Sequence, residues 1–445
     1  MNRSEAFLEE IDKVYQRKLP ADVLARARQS LLDYLAVTCA GAHFQAEKLD
    51  AYFDFAQPEE GRFSAIGTGR KLALKEAVFL NGLNAHALDF DDGTNSGIIH
   101  LGSPIFSLLL PLSQRYEVSL EKLLHAAVTG YEASYTMAVS IQPGHKAMGY
   151  HATGTCGVLG ATLAASYMLD FTKEERFQAF AAAAVSASGM LKVLDDGSEL
   201  KPYNVAKTAL LSLTSLQLAK AGFRGHEDPL GGRGFLKMMT GREDVEIKST
   251  MLDGSYAIMK TYTKPYASCR YTHPAVEAAI GIRNEQGITA SDVERIDIET
   301  YDLAVAGHEH TRIANSYSAK MSTPYAVAVG LIYGKAGFQE FEEDLVSDPT
   351  VCNLTEKVHV TANDELSAVF PKKQAAIVTV QARGERFTKR VDFPKGEPEN
   401  PLTGEEFKAR YDGLMAYGGV DSAASDRIYS EITTAGDDHR LHIGI

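Results

Sequence analysis

The chain has 445 residues, enough for two or three domains and a large buried core, so a small scaffold held together by disulfides is excluded. It carries 45 Lys and Arg residues against 58 Asp and Glu residues, a formal net charge of −13 at pH 7. Nucleic acids and anionic membranes are bound largely through Lys and Arg, so this balance argues against either as a partner.

The first and longer part of the chain has a helical pattern, from residue 4 to about residue 260. Apolar residues recur three and four positions apart, as at Leu24, Ala27 and Leu31. We therefore predict a large all-α domain over residues 1–265.

Two segments inside this part predict close helix packing. Residues 177–190 have almost no charged side, which is typical of a helix surrounded by other helices. The glycines of residues 154–160, GTCGVLG, recur every third position, and no strand precedes them. They favour two closely packed helices over a phosphate-binding loop.

The hydrophobic period changes after about residue 264. Residues 293–301 alternate Ile with charged residues, which indicates a strand. Residues 376–391 have the pattern of two strands around Arg383-Gly384-Glu385, which predicts a hairpin.

Helices are predicted among these strands, at residues 274–284 and 323–333. The fold class is therefore mainly α, a large all-α helical domain plus a smaller α+β lid domain over residues 266–399. A proline-rich linker follows the lid. Residues 404–417 become helical again, and we expect 400–445 to return to the first domain.

Cysteine use and hydropathy point to a cytoplasmic protein. The four cysteines are far apart and form no C-x-x-C motif, so reduced thiols are expected. The first 18 residues alternate charged and apolar side chains, which predicts an amphipathic helix rather than a signal peptide. The longest apolar stretches, 179–191 and 98–112, are too short or contain prolines, so no membrane-spanning segment is predicted.

The usual catalytic signatures are missing. The sequence has no phosphate-loop motif, no dinucleotide fingerprint after a strand, no nucleophile elbow and no H-E-x-x-H. His308 with His310, and His439 with His442, complete no recognised ligand spacing. We interpret them as solvated loop histidines and predict no metal site.

A dense polar segment stands at residues 81–104 within apolar helical sequence. Asp89, Asp91 and Asp92 fall within four residues, and His100 follows across a glycine-containing loop. A carboxylate could orient this imidazole for acid–base chemistry. The same residue types also start helices and form turns, and composition alone favours neither interpretation.

Four further polar segments lie next to apolar helices. They contain Lys or His residues and are residues 144–155, 195–207, 264–273 and 320–325. Each is weak evidence by itself. Together they predict a local pocket for a carboxylate-rich metabolite in an acidic protein.

These segments are where the sequence resembles the MmgE/PrpD family. Examples are NGLNAHALDFDD at 81–92, GYHATGTCGVLGATLAAS at 149–166, KPYASCRYTHPAVEA at 264–278 and SAKMSTPYAVAV at 318–329. The resemblance implies a homodimer whose subunits have a large helical domain and a smaller lid, with the active site in the cleft between them. It also implies an enzyme that acts on a small polycarboxylate without a metal or an organic cofactor.

The resemblance also assigns the site residues. The acid–base residues it implies are Asp89, His100, His151 and Tyr325. The carboxylate-binding residues are Lys201 and Lys264, with Thr94 as a further substrate contact. Gly93 stands where the family commonly has Thr, and Thr94 comes one place later.

Residue types leave the reaction open among the activities of the family. Decarboxylation of cis-aconitate to itaconate, dehydration of the 2-methylcitrate type and epimerisation of the iminodisuccinate type all develop negative charge on a carbon next to a carboxylate. Each needs a general acid or base. We predict the decarboxylation, with the other two reactions as alternatives. A non-catalytic carboxylate-binding protein is a fourth possibility.

Overall fold

A computed structural model describes residues 1–194, 197–251, 253–436 and 438–445. More than half of the residues are helical and the sheets are small, so the predicted mainly α fold class is confirmed. The division into a helical domain and a lid stays a prediction. Asp195 and Asp196, which open one of the predicted polar segments, lie outside the described residues.

The amino-terminal part consists of helices and one short hairpin. In chain order the elements are α1 (Arg3–Tyr15), α2 (Ala21–Phe44), α3 (Ala46–Ala56), β1 (Glu60–Ala65), β2 (Arg70–Leu72), α4 (Leu74–Ala85), α5 (Gly102–Tyr116), α6 (Leu120–Ile141), α7 (Gly144–Ala147), α8 (Ala152–Met168), α9 (Lys173–Ser186), α10 (Lys201–Lys220) and α11 (Phe235–Thr240). Short 3₁₀ turns lie at Leu191–Leu194 and Ala257–Lys260. The β1–β2 hairpin falls where we predicted only helix.

The carboxy-terminal part mixes helices and strands. Its elements are α12 (His273–Gln286), β3 (Val293–Thr300), α13 (Asp302–Val305), α14 (Ser316–Met321), α15 (Thr323–Tyr333), α16 (Glu343–Val346), α17 (Pro349–Thr355), β4 (Val358–Ala362), α18 (Asp364–Val369), β5 (Ala376–Ala382), β6 (Glu385–Val391), α19 (Gly404–Tyr417) and α20 (Ser422–Thr434). Short 3₁₀ turns lie at Arg270–Thr272, Ala290–Asp292 and Gln339–Phe341.

Helix α8 is the centre of the helical part. Every one of its residues is buried, and it packs against α5, α6, α9 and α10. A Cβ added at Gly160 would lie 1.9 Å from Ser134 Oγ and 2.5 Å from the carbonyl oxygen of Gly130, both on α6. Only glycine allows this approach of the two helices, so the predicted helix packing at residues 154–160 is confirmed.

Helix α9 is less enclosed than predicted. It buries Ala179, Phe180, Ala181 and Ala183, but its Val185 is 87% exposed. The expectation that other helices surround residues 177–190 is therefore wrong for one side of this helix in the single chain.

The carboxy-terminal sheet has the strand order β4-β3-β5-β6. Strand β3 pairs parallel with β4 and antiparallel with β5, and buries Ile296 and Ile298 as the alternation predicts. The β5–β6 hairpin turns at Arg383 and Gly384, whose φ values of 55° and 75° match a two-residue turn of the primed type. The predicted strand and hairpin are confirmed.

Helices α12, α15 and α19 lie near their predicted positions. Helix α12 packs against β5, β6 and α15, and α15 covers β4. After the linker, α19 has the bounds that the pattern predicts and packs against α2 of the amino-terminal part. No helix of the described part of the chain combines the length and the apolar character needed to cross a bilayer.

Candidate active site

A cavity of about 180 Å³ brings together residues that are far apart in the sequence. Six of the seven predicted site residues line it: Asp89, Thr94, His100, His151, Lys201 and Lys264. Lys146 and Arg270 line it as well, so four cationic side chains and one carboxylate face the same space. The acidic protein thus concentrates positive charge locally, as a pocket for an anion requires.

Three long helices begin at this cavity. His100 lies two residues before α5, His151 is the N-cap residue of α8, and Lys201 is the first residue of α10. The unpaired N–H groups and the dipole of a helix N-terminus favour negative charge. The helix N-termini and the lysines therefore both attract a bound anion.

Asp89 is the centre of the ionic network. Its Oδ1 lies 2.7 Å from Lys201 Nζ and 3.0 Å from Lys264 Nζ. Lys264 Nζ also donates to the main-chain carbonyl oxygen of Asp89 at 2.6 Å. Asp89 has a φ of 51°, a conformation that is uncommon for a residue with a Cβ and that occurs often at functional sites. All three side chains are buried.

The network shifts the pKa values of the two lysines in opposite directions. Burial would raise the pKa of Asp89, but Lys201 and Lys264 hold this pKa well below its usual value. Burial opposes the charge of Lys201, yet Asp89 raises the pKa of Lys201 above its usual value. For Lys264, burial and repulsion by Lys201 outweigh the attraction of Asp89 and lower the pKa. Lys201 is therefore the firmly charged anchor, and Lys264 gives up its proton more easily.

His100 directs its Nε2 toward Asp89, the centre of the ionic network. Its Nδ1 lies 2.9 Å from the carbonyl oxygen of Asp92, which can only accept, so Nδ1 carries a proton. Its Nε2 lies 3.8 Å from Asp89 Oδ1. The Oδ1 atom of Asp91 is 3.3 Å from the same Nδ1. Of the two interpretations left open for this segment, the geometry is consistent with the one in which a carboxylate orients an imidazole.

His86 is a site neighbour that the sequence analysis did not single out. It is fully buried, its Nδ1 lies 2.8 Å from Asp91 Oδ1, and its ring centroid is 4.5 Å from that of His100. Burial lowers the pKa of His86 to about 4 against the opposing effect of Asp91. Asp91 therefore holds a neutral His86 beside His100, and its place in the same polar segment was the signal that could have identified it.

His151 faces the cavity as a neutral imidazole. Burial, followed by the charge of Lys201, holds its pKa well below the usual value. Its Nδ1 is buried without a hydrogen-bond partner among the described residues. Such an orphaned atom is costly unless a ligand or a water pairs with it. This environment suits His151 to hydrogen bonding or base catalysis rather than to the donation of a proton.

The position of Thr94 follows from its neighbour Gly93. A Cβ at Gly93 would lie 2.4 Å from Tyr262 Oη and 2.8 Å from the carbonyl oxygen of Ile99. Residue 93 therefore has no room for a threonine. Thr94 lies in the cavity lining instead, and its buried Oγ1 is unpaired within the described part of the chain.

Tyr325 is the predicted residue that the structure does not bring to the cavity. It is 1% exposed, and its hydroxyl donates to the carbonyl oxygen of Glu340 at 2.9 Å. Its ring packs against Phe341. Because this hydroxyl is used inside the carboxy-terminal part, we withdraw Tyr325 as an acid–base residue of the site.

The carboxy-terminal part supplies further lining residues that the sequence analysis missed or misjudged. His308 is 6% exposed and lines the cavity beside Cys269, so our interpretation of it as a solvated loop histidine is wrong. Gln374 is buried in the lining, and neither amide atom has a partner in the described chain. Arg270 is buried and pairs with Glu397 at 2.5 Å. The segment KPYASCRYTH was the one signal for Cys269 and Arg270.

One group of side chains in the site has the spacing of a metal centre. His86, Asp89, Asp91 and His100 each offer one atom, and these atoms lie within 4.8 Å of one another. The ammonium groups of Lys201 and Lys264 already contact Asp89, and they would repel a divalent cation at this position. The charges of the site therefore fit a bound anion better than a bound metal.

Comparison with known proteins identifies the family of the chain. The models of the MmgE/PrpD N-terminal and C-terminal domains match residues 6–248 and 266–433. The chain is 26% identical over 423 residues to a protein of Aspergillus terreus named cis-aconitate decarboxylase, covering 88% of this chain and 85% of that one. The mouse protein of the same name is 24% identical over 428 residues, with 92% and 86% covered. A 2-methylcitrate dehydratase of Escherichia coli K12 is 22% identical over 359 residues, with 74% and 72% covered. The chain therefore belongs to the MmgE/PrpD family.

Proposed function

We propose that the chain is a lyase that decarboxylates cis-aconitate to itaconate without a metal or an organic cofactor. The observation that carries the proposal is the cavity in which Lys201 and Lys264 meet at Asp89, with His100 and His151 beside them. The relatives named cis-aconitate decarboxylase, which match most of the chain, support this choice of acid.

The charge of the site suits a tricarboxylate. Besides the two lysines at Asp89, the lining contains Lys146 and Arg270, and three helix N-termini begin there. An ion pair inside a water-excluding cavity is much stronger than in water. The lysines would hold the carboxylates of the substrate. Thr94 and the amide of Gln374, which has no partner among the described residues, would serve as neutral hydrogen-bonding groups.

The reaction shifts two electron pairs and takes up one proton. The bond between the methylene carbon and its carboxylate breaks, CO₂ leaves, and the electron pair forms a new double bond to the central carbon. The pair of the old double bond then takes a proton at the far carbon. Lys201 and Lys264 would stabilise the negative charge that develops during this shift, and His100 would orient the substrate or exchange a proton with it.

Incubation of the purified protein with candidate acids tests the proposal. The protein is treated with a chelator, mixed with cis-aconitate, and followed by CO₂ release and by NMR of the product. We expect CO₂ and itaconate in equal amounts, at the same rate before and after chelation. Loss of activity on chelation would contradict the metal-free mechanism.

Parallel incubations distinguish the alternatives. Loss of water from 2-methylcitrate or inversion of iminodisuccinate, with no CO₂ from cis-aconitate, would replace the decarboxylase by another activity of the family. Saturable binding of these acids with no turnover would identify a carboxylate-binding protein. We also propose a homodimer, and sedimentation of the same sample measures its mass.

A further inference from the structure

Cys269 and His308 form a pair on a part of the cavity wall that the proposed reaction has not yet used. Cys269 precedes the 3₁₀ turn Arg270–Thr272, and its main-chain N–H donates to the carbonyl oxygen of Lys320 at 2.8 Å. Its Sγ lies 3.9 Å from His308 Nε2, and both residues line the cavity. A thiol and an imidazole therefore meet within reach of a bound substrate.

The orientation of His308 is fixed. Its Nδ1 donates to the carbonyl oxygen of Met321 at 2.7 Å, because a carbonyl can only accept. The ring of Tyr271 lies edge-on at a centroid distance of 5.3 Å. His308 therefore presents Nε2 to the sulfur, and a third group holds the ring. This is the arrangement by which a protein activates a thiol.

Electrostatics favour the charged form of the pair. Burial opposes a thiolate at Cys269, but His308, with help from Lys201, lowers the pKa of this thiol to about 6. Burial also opposes an imidazolium at His308, but Cys269 raises the pKa of His308. In contrast, burial raises the pKa of Cys39 and of Cys156 to about 12. The other charged or titratable groups that act on Cys269 or respond to its charge are Lys146, Lys264, Asp89, Tyr262, Tyr271 and Tyr301.

The proposed reaction needs one proton at the substrate carbon. His86 and His151 are neutral and Asp89 holds Lys201 in its charged form, so these three residues supply a proton poorly. Resting on the proposed function, we propose that Cys269 and His308 are the acid–base pair that delivers the proton to the substrate carbon.

The proton transfer balances within this pair. The pair starts as a thiolate beside an imidazolium, and as CO₂ leaves its one mobile proton passes from His308 Nε2 to Cys269 Sγ and on to the carbanion. The pair ends as a thiolate beside a neutral imidazole. Solvent then returns one proton to His308, which matches the single proton that the reaction consumes. For a dehydration or an epimerisation, the same pair would remove or return the proton next to a carboxylate.

Alkylation tests the pair independently of catalysis. The exposed Cys352 is replaced by Ser, and the Cys352→Ser protein is treated with iodoacetamide between pH 5.5 and 8.5 while mass spectrometry follows Cys269. We expect the rate at pH 6.5 to stay within about threefold of that at pH 8, whereas an ordinary thiol would lose about tenfold or more. Adding His308→Asn should abolish the plateau, and the neighbouring change His310→Asn should leave it. Millimolar propane-1,2,3-tricarboxylate should protect Cys269.

Activity tests the catalytic role. We expect Cys269→Ala, Cys269→Ser and His308→Asn each to lower kcat for cis-aconitate by about a hundredfold or more, with circular dichroism unchanged. The limb of the pH–rate profile that reports the pair should disappear, and KM should change by less than about threefold.

The possible failures are distinguishable. An active wild-type protein whose Cys269→Ser and His308→Asn variants keep normal kcat overturns this inference and leaves the proposed function standing. A wild-type protein that turns over none of the three acids ends the proposed function and the catalytic role of the pair together. An alkylation rate that falls in proportion to hydroxide below pH 8 overturns the thiolate–imidazolium pair in either case.

Discussion

Arg410 on α19 donates its Nε–H to the carbonyl oxygen of Lys264 at 2.8 Å. The same guanidinium donates to the carbonyl oxygen of Phe90 at 2.7 Å and pairs with the buried carboxylate of Asp33. Phe90 follows Asp89 directly, so one arginine holds the backbones of both partners of the Lys264–Asp89 contact. Helix α19 thereby positions the site although it contributes no residue to the lining of the cavity.

Replacing Arg410 should therefore damage the site as well as the fold. Arg410→Met leaves Asp33 buried and unpaired, which costs about 3–5 kcal/mol of unfolding free energy. We also expect kcat/KM to fall by about tenfold or more per folded molecule, because Lys264 and Asp89 lose their common support. Urea unfolding and steady-state kinetics measure the two effects.

Asp33→Asn is the matched control for that change. It removes the ionic partner of Arg410 but leaves both carbonyl contacts available to the guanidinium. We expect reduced stability with near-normal kcat/KM. Equal kinetic damage in the Asp33→Asn and Arg410→Met proteins would show that Arg410 stabilises the fold without positioning Lys264.

Lys264 should be essential for turnover. Lys264→Ala removes a buried cation 3.0 Å from Asp89 Oδ1, and with it a group that would hold the substrate or the developing charge. We expect turnover to fall by about a hundredfold or more with an intact fold. Lys237→Ala on α11 deletes a lysine outside the cavity and should have wild-type kinetics. Near-normal activity of Lys264→Ala would remove this lysine from the mechanism.

His151 should be needed for turnover because of its ring nitrogen Nδ1. We expect His151→Ala to lower turnover by about a hundredfold or more, because a substrate loses its contact with a buried imidazole that has no other partner for Nδ1 among the described residues. The exposed His359 on β4 provides the control, and His359→Ala should be active. The turnover of the two alanine variants is compared at equal thermal stability. Near-normal turnover of His151→Ala would exclude His151 from the chemistry.

Lys320 should make stability depend on pH. It is 1% exposed beside the ring of Phe44, and burial, with repulsion from Lys201, lowers its pKa to about 7. An unfolded lysine titrates near 10.4, so the folded state binds this proton less tightly than the unfolded state. Stability from this residue is present above pH of about 10 and is lost as the pH falls toward 7.

Replacement by an uncharged residue tests the sign. Lys320→Met should be more stable than the wild type at pH 6.5, and this advantage should shrink by about 2 kcal/mol or more at pH 9.5. Urea unfolding of both proteins at the two pH values measures the difference in their unfolding free energies. Groups that titrate equally in both proteins cancel from this difference. The exposed Lys335→Met should show no such change. An advantage that grows with pH would contradict the assignment.

Local signals in the sequence predict much of the fold. The hairpin at Arg383-Gly384 follows from a turn that needs two positive φ values, and β3 follows from strict alternation. The β1–β2 hairpin was missed because its strands are short and lie between long helices. The open side of α9 was missed because periodicity shows which residues are apolar and does not show what covers them.

The site depends on contacts that no local pattern contains. Lys264 and Asp89 are 175 residues apart, and the family resemblance was what assigned both residues to one site before the structure was known. His308 lies in a polar loop, so its burial against Cys269 could not be read from its neighbours. The structure directs the hydroxyl of Tyr325 to the carbonyl oxygen of Glu340 and not to the cavity. The sequence could not show this, because a tyrosine at the start of an apolar helix gives no sign of where its hydroxyl points.

Calorimetric titration with propane-1,2,3-tricarboxylate, a saturated acid that cannot be decarboxylated in this way, tests the central claim that this cavity holds a polycarboxylate. We predict saturable binding of one molecule per chain, weakened by about tenfold or more in Lys201→Met and in Lys264→Met because each loses a charge-assisted contact. Lys237→Met should bind like the wild type. Equal affinity in all four proteins, or no saturable binding to any of them, would contradict the account.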